Sequence, residues 1–224
     1  MATYEEGLKA SPEEFCQRMV QTYPLRFSER FWEIFDREVV PKLPSTPLVV
    51  DLGTGPGLFV QDVARRFPGG RFYGYDQSPA MIEYAQTLDC GEARVEWRVE
   101  DISAQFPPFP PASIDLLAIN YVFHGFDYPL PLLDQIEERL KPEGIFLLYD
   151  WLRTSLPEYL GFFDQIPEPM DMERRYLQFA RHNRYTLSDL TWLLEEAHRF
   201  RVLQVYRMTR YHTLFLLQRA SGSS

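Results

Sequence analysis

The residues best placed to do chemistry begin with Val49-Val50-Asp51-Leu52-Gly53-Thr54-Gly55-Pro56-Gly57. An apolar run ends on an acid, and three alternate glycines follow. Glycine is required where φ is positive or where a ligand must touch backbone. A dinucleotide, a nucleotide phosphate and a nucleoside without phosphate are the candidate ligands. The dinucleotide turn Gly-x-Gly-x-x-Gly is not met, because Leu58 stands three residues past Gly55. A P-loop needs Gly-Lys-Ser/Thr, where this chain has Gly57-Leu58-Phe59. No Lys or Arg lies between Lys42 and Arg65 to meet a phosphate. The turn therefore suits a ligand with polar groups for the backbone and little negative charge.

Further along, His124 offers an imidazole that can take a proton from a hydroxyl or amine near neutral pH. Its alternative is a histidine that packs at a pocket wall. Tyr121 either positions a ligand or packs in the core, and Asp150 is either a base or a turn cap.

The elements that must hold these residues alternate. Residues 48–51, 71–76, 93–100, 114–120 and 144–150 read as strands, with helices over 56–67, 78–88 and 130–140 between them. Such alternation implies an α/β fold with a parallel, doubly wound sheet. Before it, Ser11-Pro12-Glu13-Glu14 starts a helix reaching about Tyr23, and a second helix covers 27–40. After it, a helix over 186–198 precedes two strands, 200–208 and 211–218. The short gap between those strands excludes a parallel crossover, so they form an antiparallel hairpin.

These residues together resemble class I S-adenosylmethionine-dependent methyltransferases of the small-molecule type. VVDLGTGPG is similar to their first motif, FYGYDQSPAMIEYA (72–85) to the second and EDI (100–102) to the third. IDLLAINYVFH (114–124) and LKPEGIFLLYD (140–150) are similar to the fourth and fifth, with Glu143 where the family has its first Gly. The resemblance covers roughly 47–150 and implies a Rossmann-like, seven-stranded sheet. That sheet is mostly parallel, of order 3-2-1-4-5-7-6, with an antiparallel C-terminal hairpin.

It also implies a donor site. Asp51, Gly53, Thr54, Gly55 and Gly57 form the turn, whose helix N-terminus can receive the methionine carboxylate. Asp76 is placed to accept the two ribose hydroxyls. Asp101 and the Ile102 backbone are placed for the adenine, with Gln77 and Met81 on its other side. Asn120 and Tyr121 are placed near the amino group. For several, a structural reading stays open: Asp51 and Asp101 as caps, Gly57 as a packing residue. His124, Tyr121 and Asp150 are the candidate catalytic residues, and no metal site is expected. The reaction is methyl transfer to O, N, S or C of a small acceptor, leaving S-adenosylhomocysteine. The alternatives are an enzyme making or using carboxylated adenosylmethionine, a non-catalytic adenosylmethionine-binding protein, and a nicotinamide oxidoreductase.

The domain expectation is one methyltransferase unit over 1–220. It comprises an N-terminal helical cap (1–45), a donor-binding core (46–150), a lid-like insertion (151–185), and a helix with the terminal hairpin (186–220). A flexible tail (221–224) follows. The insertion carries Tyr159, Phe162, Phe163, Met170, Met172 and Tyr176, an aromatic-lined cover for an apolar, aromatic or cationic acceptor. Arg174, Arg175, Arg181 and Arg184 read either as a solvated face or as partners for an anion.

Composition bounds the rest. The hydrophobic fraction of 45%, the charged fraction of 25% and the lack of a long apolar run describe a soluble globular chain. The net charge of −9 argues against a nucleic-acid partner. The missing Asn/Asp-Pro-Pro-Tyr/Phe after strand four argues against methylation of DNA bases or protein amides. Cys16 and Cys90 are expected to be reduced thiols. No signal-peptide pattern is read, and a cytoplasmic monomer or homodimer is expected.

Overall fold

The computed structural model describes residues 11–163, 172–197 and 200–220. Seven strands form one sheet: β1 (Leu48–Leu52), β2 (Arg71–Asp76), β3 (Arg94–Val99), β4 (Ile114–Asn120), β5 (Leu140–Trp151), β6 (Phe200–Arg207) and β7 (His212–Arg219). Their order is β3-β2-β1-β4-β5-β7-β6, as the resemblance implies. β1 to β5 pair in parallel, whereas β7 runs antiparallel to both β5 and β6.

The helices are α1 (Pro12–Gln21), α2 (Tyr23–Arg26), α3 (Glu29–Glu38), α4 (Leu58–Arg66), α5 (Pro79–Ala85), α6 (Leu130–Arg139), α7 (Leu156–Phe163), α8 (Met172–His182) and α9 (Leu187–Glu195). Two start where the sequence signals them. Ser11 and Glu14 close a capping box on α1, and Thr186 and Asp189 close one on α9. The expected second helix begins later, at Glu29, because Tyr23–Arg26 forms its own short turn.

Alternating side chains of the central strands feed two cores. Val49, Leu116 and Leu147 pack with Phe31 and Phe35 of α3 and Val60 and Val63 of α4. Val50, Leu117 and Leu148 pack on the other face with Leu133 and Ile136 of α6 and Leu190 and Leu194 of α9. Phe31, Ile34 and Phe35 fall at i, i+3 and i+4, so α3 buries one stripe. Each fully buried aromatic or aliphatic side chain contributes about 1.5–3 kcal/mol. This three-layer packing fixes the carboxyl ends of β1, β2 and β4 beside one another, where ligands bind in open α/β sheets.

The segment read as a link, 151–185, contains two helices, α7 and α8. The expected tail 221–224, Met170 and His198 lie outside the described residues, as do the side chains of Phe162, Phe163 and Arg174. Among the described residues, no helix is long and apolar enough to cross a membrane, and no cluster of three or more His, Cys, Asp or Glu could hold a metal.

Candidate active site

A cavity of about 1800 Å³ opens at the carboxyl ends of the parallel strands. A pocket for one drug-sized ligand holds roughly 300–1,000 Å³, so this one has room for two molecules side by side. Its wall includes Asp51, Gly53, Thr54, Gly55, Asp76, Gln77, Met81, Asp101, Ile102, Asn120, Tyr121 and His124. The fold thus gathers residues from four strand ends into one space. Gly57 and Asp150 are not on that wall.

The glycines divide by what surrounds them. Gly55 has φ +56°, and a Cβ built on it meets nothing within 4 Å, so a ligand can approach that backbone. Gly57 has φ +79° and caps α4. A Cβ there would strike the Trp97 ring at 2.7 Å and Ala85 at 2.8 Å. Gly57 therefore serves close packing of the turn on β3 and α5, the packing reading left open for it by the sequence.

Asp76 ends β2 and faces the turn. Its carboxylate accepts the Gly55 N–H at 2.8 Å and the Ser78 N–H at 3.0 Å. The Gly55 N–H is thus already bonded to Asp76. Asp51 is 1% exposed and accepts from Asn120 Nδ2 at 3.2 Å. Burial raises its pKa to about 7, reinforced by the charge of Asp76 and opposed by the Thr54 hydroxyl and the Asn120 amide. Asn120 Oδ1 is buried with no hydrogen-bond partner among the described residues. An ammonium or hydroxyl donor would satisfy it. Asp101 lies on the exposed rim and holds its own turn, accepting the Ser103 N–H at 2.9 Å and the Ser103 hydroxyl at 2.6 Å. Those bonds lower its pKa.

The other end is built around imidazoles. His124 sits in a single 3₁₀ turn after β4. Its Nδ1 lies 2.6 Å from Asp150 Oδ1, and its backbone N–H donates to Asp150 Oδ2 at 2.8 Å. A carboxylate only accepts, so in the neutral ring Nδ1 carries the proton and Nε2 is the acceptor. Asp150 is therefore a positioning residue behind His124, where the sequence left base or turn cap open. Tyr149 also turns away, its hydroxyl donating to the Arg26 carbonyl at 3.0 Å.

Tyr121 follows β4 with φ +60°, a left-handed conformation that costs a non-glycine residue about 1–2 kcal/mol. Its N–H is held by the Tyr149 carbonyl at 2.7 Å. The ring packs 4.6 Å from Tyr149 and 5.0 Å from His212, with the Arg26 guanidinium 5.6 Å away. Burial keeps its hydroxyl well above its usual pKa, so Tyr121 is a neutral wall residue.

Sequence reasoning missed two more histidines on this wall. His182, from α8, stacks on Trp151 at 4.6 Å, meets His124 edge-on at 4.7 Å and shares a 2.7 Å hydrogen bond with Tyr159. His212, from β7, meets Trp151 at 4.2 Å. Burial lowers the pKa of both, that of His212 to about 3, so they are neutral rings at ordinary pH. No local motif marks them; α8 alone brings His182 to β5.

The expected aromatic cover takes another form. Tyr159 is buried behind Trp151, Met172 and Tyr176 are exposed, and none of the three lines the cavity. α8 and its exit present Gln178, Arg181, His182 and Arg184 instead, and Arg18 and Arg26 of α1 and α2 lie on the same wall. Arg184 is held by Asp127 and the Phe126 carbonyl, and Arg26 by the Met19 carbonyl at 2.6 Å. Arg175 stays off the wall.

Residues 50–148 match the family described as Methyltransferase domain. The chain is 31% identical over 115 residues to trans-aconitate 2-methyltransferase of Azoarcus sp., covering 50% of this chain and 43% of the relative. It is 31% identical over 110 residues to malonyl-[acyl-carrier protein] O-methyltransferase of Hahella chejuensis, covering 49% and 38%. The chain thus spans less than half the length of these curated relatives. Among solved structures, a SAM-dependent methyltransferase from Aquifex aeolicus is similar with TM-score 0.60 and 21% identity, over 88% of this chain and 96% of that one. The plantazolicin methyltransferase BpumL, solved with SAH, is similar with TM-score 0.62 and 16% identity, over 94% and 100%. At such identities these structures share the fold.

Proposed function

We propose that this chain, which carries a class I S-adenosylmethionine-dependent methyltransferase domain, transfers a methyl group from S-adenosylmethionine to a small-molecule acceptor. One observation carries the reading. The open face of Gly55, the carboxylates of Asp76 and Asp51 and the unsatisfied Asn120 oxygen share one cavity with His124. The first group fits a nucleoside bearing a cationic amino acid. Asp76 would take ribose hydroxyls, Asp51 and Asn120 the ammonium, and Ile102 and Met81 the adenine. When bound, the donor supplies an electrophilic methyl group on a sulfonium. The chain's own residues orient the acceptor, exclude water and, for a protonated nucleophile, receive its proton at His124 Nε2.

The named acceptors of the relatives, trans-aconitate and malonyl-[acyl-carrier protein], support an acceptor of metabolite class. Their names favour methyl transfer over the carboxylated-donor alternative. The reading keeps 1–220 as one unit, with 1–45 as a helical cap and 151–185 as a lid-like cover, acting in the cytoplasm as a monomer or homodimer.

Calorimetric titration with adenosylmethionine, adenosylhomocysteine and NAD tests the donor site, with Asp76→Ala as control. Micromolar binding of the first two, weakened in the variant, supports the reading; tighter binding of NAD overturns it.

A further inference from the structure

Resting on that donor reading, we infer that the acceptor is a phenolic acid, with its hydroxyl at His124 Nε2 and its carboxylate at Arg181. Charge along the cavity is not uniform. Asp51, Asp76, Glu100 and Asp101 line the end beside the glycine turn, which suits a cationic donor. Arg181 of α8 and Arg184 just past it line the cavity with His182, although the chain carries a net charge of −9. Arg184 is neutralised by Asp127. The Arg181 side chain lines the cavity with no ion pair or hydrogen bond among the described residues, and it neighbours His182, whose ring touches His124. A guanidinium facing a cavity beside the catalytic imidazole is matched by a carboxylate on the ligand.

The His124–Asp150 pair narrows the class further. An ionised carboxylate needs no base to accept a methyl group, so a fixed Nε2 acceptor points to a nucleophile that arrives protonated. A phenol, near pKa 10 like tyrosine, gives up its proton to a neutral imidazole far more readily than an aliphatic hydroxyl, which is a much weaker acid. Phe126, Tyr128 and Trp151, which also line the cavity, suit an aromatic ring. In the step, the phenolic oxygen bonds to the methyl carbon as the carbon–sulfur bond breaks. That electron pair stays on sulfur, giving adenosylhomocysteine, and the phenol proton passes to Nε2 and on to solvent.

The test uses the full chain with methyl-deuterated adenosylmethionine. The probes are 4-hydroxybenzoate, 4-hydroxycinnamate and 4-hydroxyphenylacetate, their methyl esters, and the hydroxyl-free acids benzoate, cinnamate and trans-aconitate. Products are read by mass spectrometry, and adenosylhomocysteine binding is followed by calorimetry. The expected result is a deuterated methyl ether on at least one phenolic acid. Its methyl ester should show a KM about 10- to 100-fold higher, the loss of one charge-assisted contact. Arg181→Gln should raise the KM for the acid by a similar factor and leave that for the ester little changed, with Arg181→Lys intermediate. Label on a carboxylate or on a hydroxyl-free acid overturns the inference. So does equal use of acid and ester, or no label while adenosylhomocysteine still binds; these outcomes leave the donor reading standing. Failure to bind adenosylhomocysteine counts against the donor reading itself.

Discussion

Asp150 grips His124 at two points, accepting from Nδ1 at 2.6 Å and from the backbone N–H at 2.8 Å. The pair is buried, 6% and 1% exposed, and Asp150 Oδ1 also accepts the Trp151 N–H at 2.6 Å. Such a clamp fixes both the orientation and the tautomer of the ring. His124→Asn is expected to lower kcat by about 10²–10⁴-fold on a phenolic acceptor and to leave adenosylhomocysteine affinity within about threefold. Asp150→Asn offers Nδ1 an amide donor in place of a carboxylate, which favours the tautomer protonated on Nε2. It is expected to lower kcat more than it raises KM. Steady-state kinetics across pH 6–9 check both, and an undiminished pH profile in the His124 variant would remove the imidazole from the mechanism.

The last two glycines of the turn should separate binding from stability. In Gly55→Ala the new methyl enters the open cavity at φ +56°, so donor affinity should fall at least about tenfold for a stability cost of about 1–2 kcal/mol. In Gly57→Ala the methyl meets the Trp97 ring and Ala85, so stability should fall by about 2–4 kcal/mol. Calorimetry with adenosylhomocysteine and thermal unfolding on the same samples decide it; equal effects in both assays would contradict the assignment.

Asp51 should carry a stability penalty in the ligand-free protein. Burial raises its pKa from 3.8 to about 7. Between those values the folded state holds a proton that the unfolded state has released, so stability falls as pH rises through this window. Asp51→Asn removes the penalty. It should raise the stability of the free protein at pH 8 by up to roughly 4 kcal/mol, with the gain gone below about pH 4. The same variant should bind adenosylhomocysteine about tenfold more weakly, because the ammonium loses its carboxylate. Melting curves from pH 4 to 8, with and without the ligand, test the sign; a gain that grows towards low pH would refute it.

His212 acts in the opposite direction. Its pKa falls to about 3 in the fold, chiefly through burial. Between about 6.5 and 3 the unfolded state takes up a proton that the folded state refuses, so stability is lost as pH falls, by about 1.4 kcal/mol per unit. His212→Asn keeps a polar partner for Thr209, which lies 3.0 Å from Nδ1. It should flatten the acid limb of the stability profile by that slope. Urea unfolding at pH 4, 5 and 6 measures it, and an unchanged slope would show that His212 is not the group responsible.

The glycine-turn end of the cavity was legible because its residues are local. Gly53, Gly55 and Asp76 follow from a strand–turn–helix pattern and the end of the next strand, where backbone geometry dictates side-chain position. Asp51 and Asn120 were each legible near the end of a strand, whereas their 3.2 Å contact depends on β1 and β4 lying side by side in the sheet. The histidine end was not. α8 contributes Gln178, Arg181 and His182 from a segment that reads as a link, and nothing in its sequence says which strand it docks against.

The sequence by itself determined the alternation of strands and helices, the parallel sheet with its terminal hairpin, and the glycine turn with its positive φ angles. Each rests on short-range periodicity or on a conformation only glycine adopts readily. The tertiary structure alone decided that Gly57 packs against Trp97 and does not line the cavity. It also decided that Asp150 turns inward to hold His124, and that His182 and His212 close on Trp151 from α8 and β7. Those outcomes depend on contacts between residues far apart in the chain, where packing, not local propensity, sets the direction of a side chain.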